Sequence, residues 1–398
     1  MKKILVLAAG ILQIPIIKKA RKLGYYVIAA DGCADAPGLA YADKAIVANI
    51  TSEEIMLEIA RKEQIDGVIH PCSEVAMNVM GRINDEMGLC GISRETAVRA
   101  TNKHLMRLAF EEGGAPSPWS TCFENVEDAW KLYCDTDTQE MILKPSRNSG
   151  SRGIAKISKD LSKTEFAELF ERSKAESRDK SVMLEQFVKG PEFSVEIIVW
   201  KKVPYILTVT DKKTTEAPYF VELGHNQPSC FSKADVEEIK QAAYKGVLTL
   251  GLDCCAAHAE IKLQDGKAYI MEIGARLGGD FISTELTHLS TGIDMVAAAV
   301  NVALGIKPQL EATEEKHGVC IRYFTPSPGK LVSISGIDCL KRDSSIYDYE
   351  IYCSEGDIIR EVRSSTDRNG HVIVVKKTVE EAIARAEQIL QEVNFNVL

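Results

Sequence analysis

Short apolar runs alternate with amphipathic segments along the first 70 residues of the chain. The apolar runs at 3–9, 25–31 and 65–71 have the length and composition of buried strands. The segments between them place apolar residues at helical spacing, and Thr51 is a residue type that caps helices well. Strands that alternate with helices form parallel sheets with crossover connections. We therefore expect the chain to begin with a doubly wound α/β domain.

The pattern changes after a loop at 115–119, which we interpret as a domain boundary. From Glu140 onward, several short apolar runs predict strands, and helical periodicity returns at 232–251. The residues after Pro308 alternate short strands and turns and end in a helix at 378–393. The remainder of the chain is therefore predicted to have α+β organisation.

Composition and charge narrow the class of protein. A chain of 398 residues, 45% apolar and 26% charged, is long enough for two to four folded domains. The formal net charge is -9 and no basic block stands out, so neither nucleic acid nor a membrane is expected as a partner. The eleven cysteines form no CxxC pair, which favours buried thiols in a reducing compartment.

The N-terminal apolar run needs separate consideration because it resembles a signal peptide. Gln13 and Pro15 interrupt it, and the basic segment KKARKLG follows where a cleavage site would be needed. We therefore expect a cytoplasmic protein.

Two glutamates, Glu260 and Glu272, interrupt apolar runs that otherwise predict core strands. The connecting LQDGK predicts a hairpin, and the turn length decides whether the two acids share a face. A two-residue Asp265-Gly266 turn would send them to opposite faces. A three-residue loop at 264–266 would make them diagonal neighbours roughly 7–8 Å apart on one face. We expect the odd-length loop, with two solvated surface acids as the alternative.

Oxygen ligands without paired histidines favour Mg²⁺ over zinc, and such a site usually shares the cation with phosphates. A phosphate site is predicted where Lys144 ends an apolar strand before a loop containing Gly150 and Gly153. Lys103, in a helical run, could supply a second phosphate contact. No GK[ST] closes the loop, and Gly10 alone cannot make a dinucleotide fingerprint, so neither a Walker motif nor NAD binding is expected.

The segment VMLEQFVKGPEFSVE could complete a nucleotide site. A strand edge at 185–188 could bind an adenine through its backbone, and Glu192 could accept the ribose hydroxyls. Taken singly, each of these residues is better explained as an ordinary surface residue.

Together and in this order, the motifs NKHLM, ILKPSRNSGSRGI, LEQFVKGPEFSVE, HAEIKL and MEIGARLGGD resemble the ATP-grasp superfamily. The resemblance spans about residues 1–305. It implies an N-terminal domain at 1–95, a helical segment and lid subdomain at 96–190, a catalytic subdomain at 191–305 and a small C-terminal α+β domain at 306–398.

The resemblance also implies roles for individual residues. The expected nucleotide-binding residues are Lys103, Lys144, Ser146, Gly150, Ser151, Gly153, Glu185, Gln186, Phe187, Val188 and Glu192. The implied metal ligands are Glu260 and Glu272, and Arg276 would stabilise an acyl phosphate. Gly278 and Gly279 would admit the substrate. Many relatives carry Asn where this chain has Gly274, which puts a second Mg²⁺ in doubt.

The segment at 214–229 resembles the substrate loop of ATP-grasp amino-acid ligases. Glu222 and His225 would contact an amino acid, and His258 would line the same cavity or be a buried structural histidine. The expected activity joins a small-molecule carboxylate to an amine through an acyl phosphate, with ATP and Mg²⁺ (or Mn²⁺) as cofactors and ADP as product. A purine-pathway or carboxylating enzyme and a nucleotide-sensing module are the alternatives. A homodimer is compatible with the expected activity and with the alternatives.

Overall fold

The computed structural model describes residues 1–147, 153–217, 219–312 and 314–398. The N-terminal part alternates strands and helices as predicted: β1 (Lys3–Leu7), α1 (Ile14–Lys22), β2 (Tyr26–Asp31), β3 (Lys44–Val47), α2 (Glu53–Glu63), β4 (Gly67–Ile69) and α3 (Met77–Met87). The strands are parallel, in the order β3-β2-β1-β4. Strand β3 was not predicted, because its largely exposed residues form no apolar run.

Two helices lead from this domain into a second sheet. The elements are α4 (Arg94–Thr101), α5 (Lys103–Gly113), β5 (Ser120–Phe123), α6 (Val126–Asp135), β6 (Glu140–Pro145), β7 (Ala155–Ser158), α7 (Lys163–Glu176) and β8 (Val182–Gln186). The strands are antiparallel, in the order β5-β8-β6-β7. Helix α7 begins with a capping box between Ser162 and Glu165, and aromatic side chains from α6 and α7 pack edge-on or tilted against each other. We call this unit the lid sheet.

A long antiparallel sheet, here called the catalytic sheet, occupies most of the remaining chain. The elements up to residue 305 are β9 (Glu192–Trp200), β10 (Val203–Thr214), β11 (Glu222–Gln227), α8 (Lys233–Leu250), β12 (Cys255–Gln264), β13 (Lys267–Gly274), α9 (Thr287–Thr291) and α10 (Met295–Ala303). The elements beyond it are β14 (Gly318–Tyr323), β15 (Gly329–Ser335), α11 (Asp338–Arg342), β16 (Ile346–Ile351), β17 (Ile358–Ile359), β18 (Gly370–Lys376), α12 (Val379–Glu392) and β19 (Asn394–Val397).

The catalytic sheet has the order β13-β12-β9-β10-β11-β14-β18-β16, and β17-β15-β19 form a small separate sheet. Because β14 pairs with β11, the sheet continues across the boundary predicted at residue 305. No helix in the described ranges combines the length and the apolar character needed to cross a membrane.

The β12–β13 hairpin corrects one prediction. Gln264 pairs with Lys267, so the turn has two residues, Asp265 and Gly266, both with positive φ. The predicted odd-length loop is therefore wrong. However, the register shifts by one residue between Glu260 and Ile261, and this shift brings Glu260 directly opposite Glu272. A β-bulge in the strand restores the shared face that an even turn alone would have removed.

The N-terminal domain packs tightly on the catalytic part of the molecule. Lys2 donates a hydrogen bond to the carbonyl of Leu304, and the Tyr25 hydroxyl bonds Asn301 at 2.8 Å. Gly67 in β4 lies against α10 so closely that an added Cβ would overlap the carbonyl oxygen of Ala303. The absence of a side chain at Gly67 therefore permits this contact.

Replacing Gly67 by alanine should destabilise the protein by about 1–3 kcal/mol, because backbone must move to relieve the overlap. Gly32→Ala is the matched control: its Cβ would meet only the Ala48 carbonyl, at 3.8 Å, so its effect should stay within about 0.5 kcal/mol. Thermal unfolding of both variants measures this. Equal unfolding midpoints would show that β4 does not need the close approach.

Candidate functional site

A cleft of about 250 Å³ lies between the lid sheet and the catalytic sheet. Its charged lining residues are the acids Glu74, Glu192, Glu222, Glu260 and Glu272 and the bases Lys103, Lys144, Lys212, Lys262 and Arg276. Among the described lining residues, five acidic and five basic side chains thus balance in formal charge. The sequence predicted seven of these ten residues, and the fold brings all seven to one cleft.

The two paired acids are held by lysines from different elements. Lys103, the first residue of α5, binds Glu272 at 2.8 Å. Lys212 of β10 lies 3.4 Å from Glu260 and also contacts Glu192 at 2.7 Å and Glu222 at 3.5 Å. The Lys212 ammonium holds the pKa of Glu260 well below its usual range, against the effect of burial. Burial alone would lower the pKa of Lys212, but the three carboxylates raise it well above normal.

A second, fully buried ion pair network lies at the lid side of the cleft. Lys144 binds Glu185 at 2.8 Å, and Arg107 of α5 reaches the same carboxylate at 3.3 Å. Arg107 also donates to the carbonyl of Met271, the residue that the bulge leaves without a partner across the hairpin. Burial lowers the pKa of Lys144 to about 8, with Glu185 acting in the opposite direction. Arg107 therefore connects the lid sheet to the β12–β13 hairpin.

The predicted adenine-binding segment is not a strand edge. β8 lies between β5 and β6, and the N–H groups of Gln186 and Phe187 already donate to the carbonyls of Trp119 and Glu140. The Glu185 side chain is occupied by Lys144 and Arg107. Phe187 lines the cleft and Val188 is buried beside it. The N–H groups of Gln186 and Phe187 are therefore not available to a base in this structure.

The glycine loop is only partly described. Ser146 is buried and donates to Asp179 at 2.6 Å, so its hydroxyl has a structural role that the sequence did not indicate. Gly153 has φ 75°, and an added Cβ there would meet Glu176 at 2.8 Å. The predicted residues Gly150 and Ser151 lie outside the described residues.

Arg276 is held by an acid of the N-terminal domain, Glu74, at 3.5 Å. An added Cβ at Gly274 would lie 3.2 Å from the Arg276 guanidinium, so this glycine gives the arginine room to fold back. Around Gly279, none of the described atoms lies within 4 Å of an added Cβ.

The two predicted substrate histidines do not line the cleft. His225 is buried and lies 3.5 Å from Asp280. His258 is buried and bonds the Glu196 carboxylate, which also accepts from Ser283. Burial would lower the pKa of His258, but Glu196 raises it to about 9. His258 Nε2 also lies 3.8 Å from the cleft residue Glu260, so a place beside the substrate stays a prediction, next to the structural role.

The roles of Gly278 and His258 are linked. The Gly278 amide donates to Ser283 at 2.7 Å, and an added Cβ would lie 2.6 Å from the His258 ring. This glycine thus makes room for a buried histidine.

The comparisons with known proteins agree with this architecture. The family model described as ATP-grasp domain matches residues 138–285, and the one described as L-amino acid ligase C-terminal domain 2 matches residues 322–397. The chain contains an ATP-grasp domain at residues 138–285. The resemblance seen in the sequence motifs is thereby confirmed.

Two curated ATP-grasp relatives have different activities. Alanine–anticapsin ligase of Bacillus subtilis is 27% identical over 272 residues, covering 63% of this chain and 57% of the relative. Formate-dependent phosphoribosylglycinamide formyltransferase of Prochlorococcus marinus (strain NATL1A) is 25% identical over 262 residues, covering 63% and 64%. The chain thus matches less than two thirds of the length of either relative.

A solved structure shares the fold over the whole chain. The L-amino acid ligase of Bacillus licheniformis superposes with a TM-score of 0.82 and 21% identity, covering 100% of this chain and 99% of that one. The predicted fold class, with its N-terminal parallel sheet, is confirmed.

The ATP-grasp cleft offers two carboxylates for a cation. Among the described residues, no group of three or more His, Cys, Asp or Glu side chains could hold a metal ion. Glu260 and Glu272 face each other from paired strands, a donor set that fits Mg²⁺ completed by phosphate and water oxygens.

Sequence reasoning missed Lys212, Arg107 and Glu74. Lys212 lies in the polar run DKKTT, which gives no sign that its side chain is buried. Arg107 looks like a surface residue of a helix. Glu74 could have been found, because it follows β4 at the carboxyl edge of a parallel sheet, where ligands commonly bind.

The Lys144 pKa of about 8 leads to a prediction for ATP binding. Since the ammonium loses its proton as the pH rises through that value, affinity for Mg-ATP should fall above about pH 8 in the wild type. Lys144→Arg stays charged, so its affinity should be nearly constant with pH. Lys144→Met should bind weakly throughout. Calorimetry of the three proteins tests this, and equal wild-type and Lys144→Met affinities would contradict it.

Proposed function

We propose that this protein is an ATP-dependent carboxylate–amine ligase. A carboxylate oxygen of the substrate attacks the γ-phosphorus of ATP, the bond to the β,γ-bridging oxygen breaks, and ADP leaves. The resulting acyl phosphate is attacked by an amine, which forms an amide, loses a proton and releases phosphate. The observation that carries this proposal is the convergence of Lys103, Lys144, Glu260, Glu272 and Arg276 on one cleft.

The proposed roles follow from charge and position. Lys103 and Lys144 bind phosphate oxygens, and Glu192 accepts the ribose hydroxyls. Glu260 and Glu272 would hold Mg²⁺, which supplies positive charge at the triphosphate when bound. Arg276 faces the reacting carboxylate and stabilises charge on the acyl phosphate and on the intermediate that follows. Such preorganised charge provides most of the catalysis in phosphoryl transfer.

We infer that the carboxylate substrate is an amino acid. Support comes from the C-terminal match to L-amino acid ligases and from the alanine–anticapsin ligase relative. Glu222, which lines the cleft beside the proposed catalytic residues, is suited to an α-ammonium group. The formyltransferase relative supports formate as a second candidate, since its name describes a formate-dependent reaction.

The nucleotide product tests the reaction type. Enzyme, ATP and Mg²⁺ incubated with amino-acid mixtures should release ADP and phosphate, since the γ-phosphoryl group is transferred. AMP and pyrophosphate as main products would remove the acyl-phosphate mechanism. ADP release stimulated by formate and by no amino acid would favour the second candidate.

Arg276→Ala should lower turnover by roughly 100-fold or more while ATP affinity changes little, because the residue acts on the transition state. Lys262→Ala is the comparison, as Lys262 also lines the cleft but has no assigned catalytic role. A large loss of ATP affinity in Arg276→Ala would reassign the arginine to nucleotide binding.

A further inference from the structure

The segment after the glycine pair has an unusual backbone. Asp280 and Phe281 have φ angles of 52° and 62°, so two consecutive non-glycine residues are in the left-handed region. Side chains disfavour this conformation, and it persists only where the surroundings hold it in place. We call these two residues the tandem turn.

The C-terminal domain holds the first residue of the tandem turn. Arg368, just before β18, donates to both carboxylate oxygens of Asp280, at 2.6 and 2.8 Å. Its guanidinium also lies 3.7 Å from the centre of the Tyr323 ring, and its side chain is only 9% exposed. Buried, two-pronged pairs of this kind fix orientation as well as charge.

The same domain holds the second residue. The His371 ring lies 4.5 Å from the Phe281 ring, measured between centroids. Tyr352 and Asp348 bond the two nitrogens of His371, at 2.6 and 3.0 Å, and so fix the ring. Arg368 and His371, three positions apart in the sequence, thus contact the two consecutive residues of the tandem turn.

The C-terminal segment also contacts the wall of the cleft. Ser365 donates to the Glu222 carboxylate at 3.4 Å, and Arg368 reaches the Glu222 carbonyl at the same distance. Glu222 and the Gly278-Gly279 backbone are the parts of the site where the carboxylate substrate is expected to bind. Among the described residues that line the cleft, neither Arg368 nor His371 appears.

We propose that Arg368 is a positioning residue for the carboxylate substrate. It fixes Asp280, and through it the Gly278-Gly279 backbone and Glu222, so that a small carboxylate carrying an ammonium group is held in line with ATP. This inference rests on the proposed function for the identity of the substrate. The ATP side of the cleft does not depend on it.

The test compares Arg368→Ala, Arg368→Lys and Asp280→Asn with Arg342→Ala. Arg342 is an exposed arginine of α11 in the same domain, paired only at 3.9 Å. Arg368→Ala should lower kcat/KM for the amino acid by about 10–100-fold, with KM for ATP nearly unchanged. The kcat/KM of Arg368→Lys should fall between those of the wild type and Arg368→Ala, because lysine keeps the positive charge but cannot donate two parallel hydrogen bonds to Asp280. The Asp280→Asn, Arg368→Ala double variant should be little worse than either single one.

Hydrogen exchange gives a readout that needs no substrate. Amides at 278–286 should exchange about tenfold or more faster in Arg368→Ala than in wild type, and at the wild-type rate in Arg342→Ala. Unchanged exchange in Arg368→Ala would overturn the proposal, as would an equal rise in KM for ATP and for the amino acid. If no amino acid stimulates ADP release by the wild type, the proposed function fails. Exchange then decides by itself whether Arg368 holds the tandem turn.

Discussion

The carboxylates of Glu260 and Glu272 project from directly opposed positions on paired strands, and this pair can stay ionised only beside cations. Lys103 and Lys212 supply those cations in the absence of ligand. Both come from elements distant in sequence, α5 and β10, so the acid pair constrains how the N-terminal helices and the catalytic sheet pack together. The bulge that aligns the acids is in turn bound by Arg107, which also holds Glu185 of the lid sheet.

This arrangement has a consequence for ligand binding. Because the described acids and bases of the cleft balance, an ammonium group can turn to a phosphate only if its carboxylate finds another counter-ion. A divalent cation that arrives with the triphosphate would meet that need. The lysines therefore stabilise the acids before the ligand binds. Because the acidic and basic charges balance, we expect nucleotide binding and cation binding to depend on each other.

The sequence predicts which charged residues line the cleft better than it predicts how they are arranged there. The two acids and Lys144 stand out because charged residues interrupt or end apolar runs, whereas the roles of Lys103 and Arg276 were indicated by the order of the motifs and the family resemblance. The hairpin was predicted with the wrong turn, because an odd-length loop and a two-residue turn with a bulge both place the two acids on one face. The bulge at Met271 is contacted by Arg107, 164 positions away, which local sequence does not show. Lys212 and Glu74 enter the cleft through long-range packing, which local periodicity does not report. His258 illustrates the same limit, because its environment is set by Glu196 on the neighbouring strand.

Calorimetric titration of ATP with and without Mg²⁺, for wild type and Glu272→Gln, tests this account most directly. In the wild type, removing Mg²⁺ should weaken ATP binding by on the order of 10–100-fold, since Lys103 stays paired with Glu272. In Glu272→Gln, binding without Mg²⁺ should be tighter than in the wild type, because Lys103 loses its ion pair with the Glu272 carboxylate, and Mg²⁺ should add little. The same Mg²⁺ effect in both proteins would contradict the proposed exchange, in which Lys103 turns from Glu272 to a phosphate and Mg²⁺ becomes the counter-ion of the carboxylate.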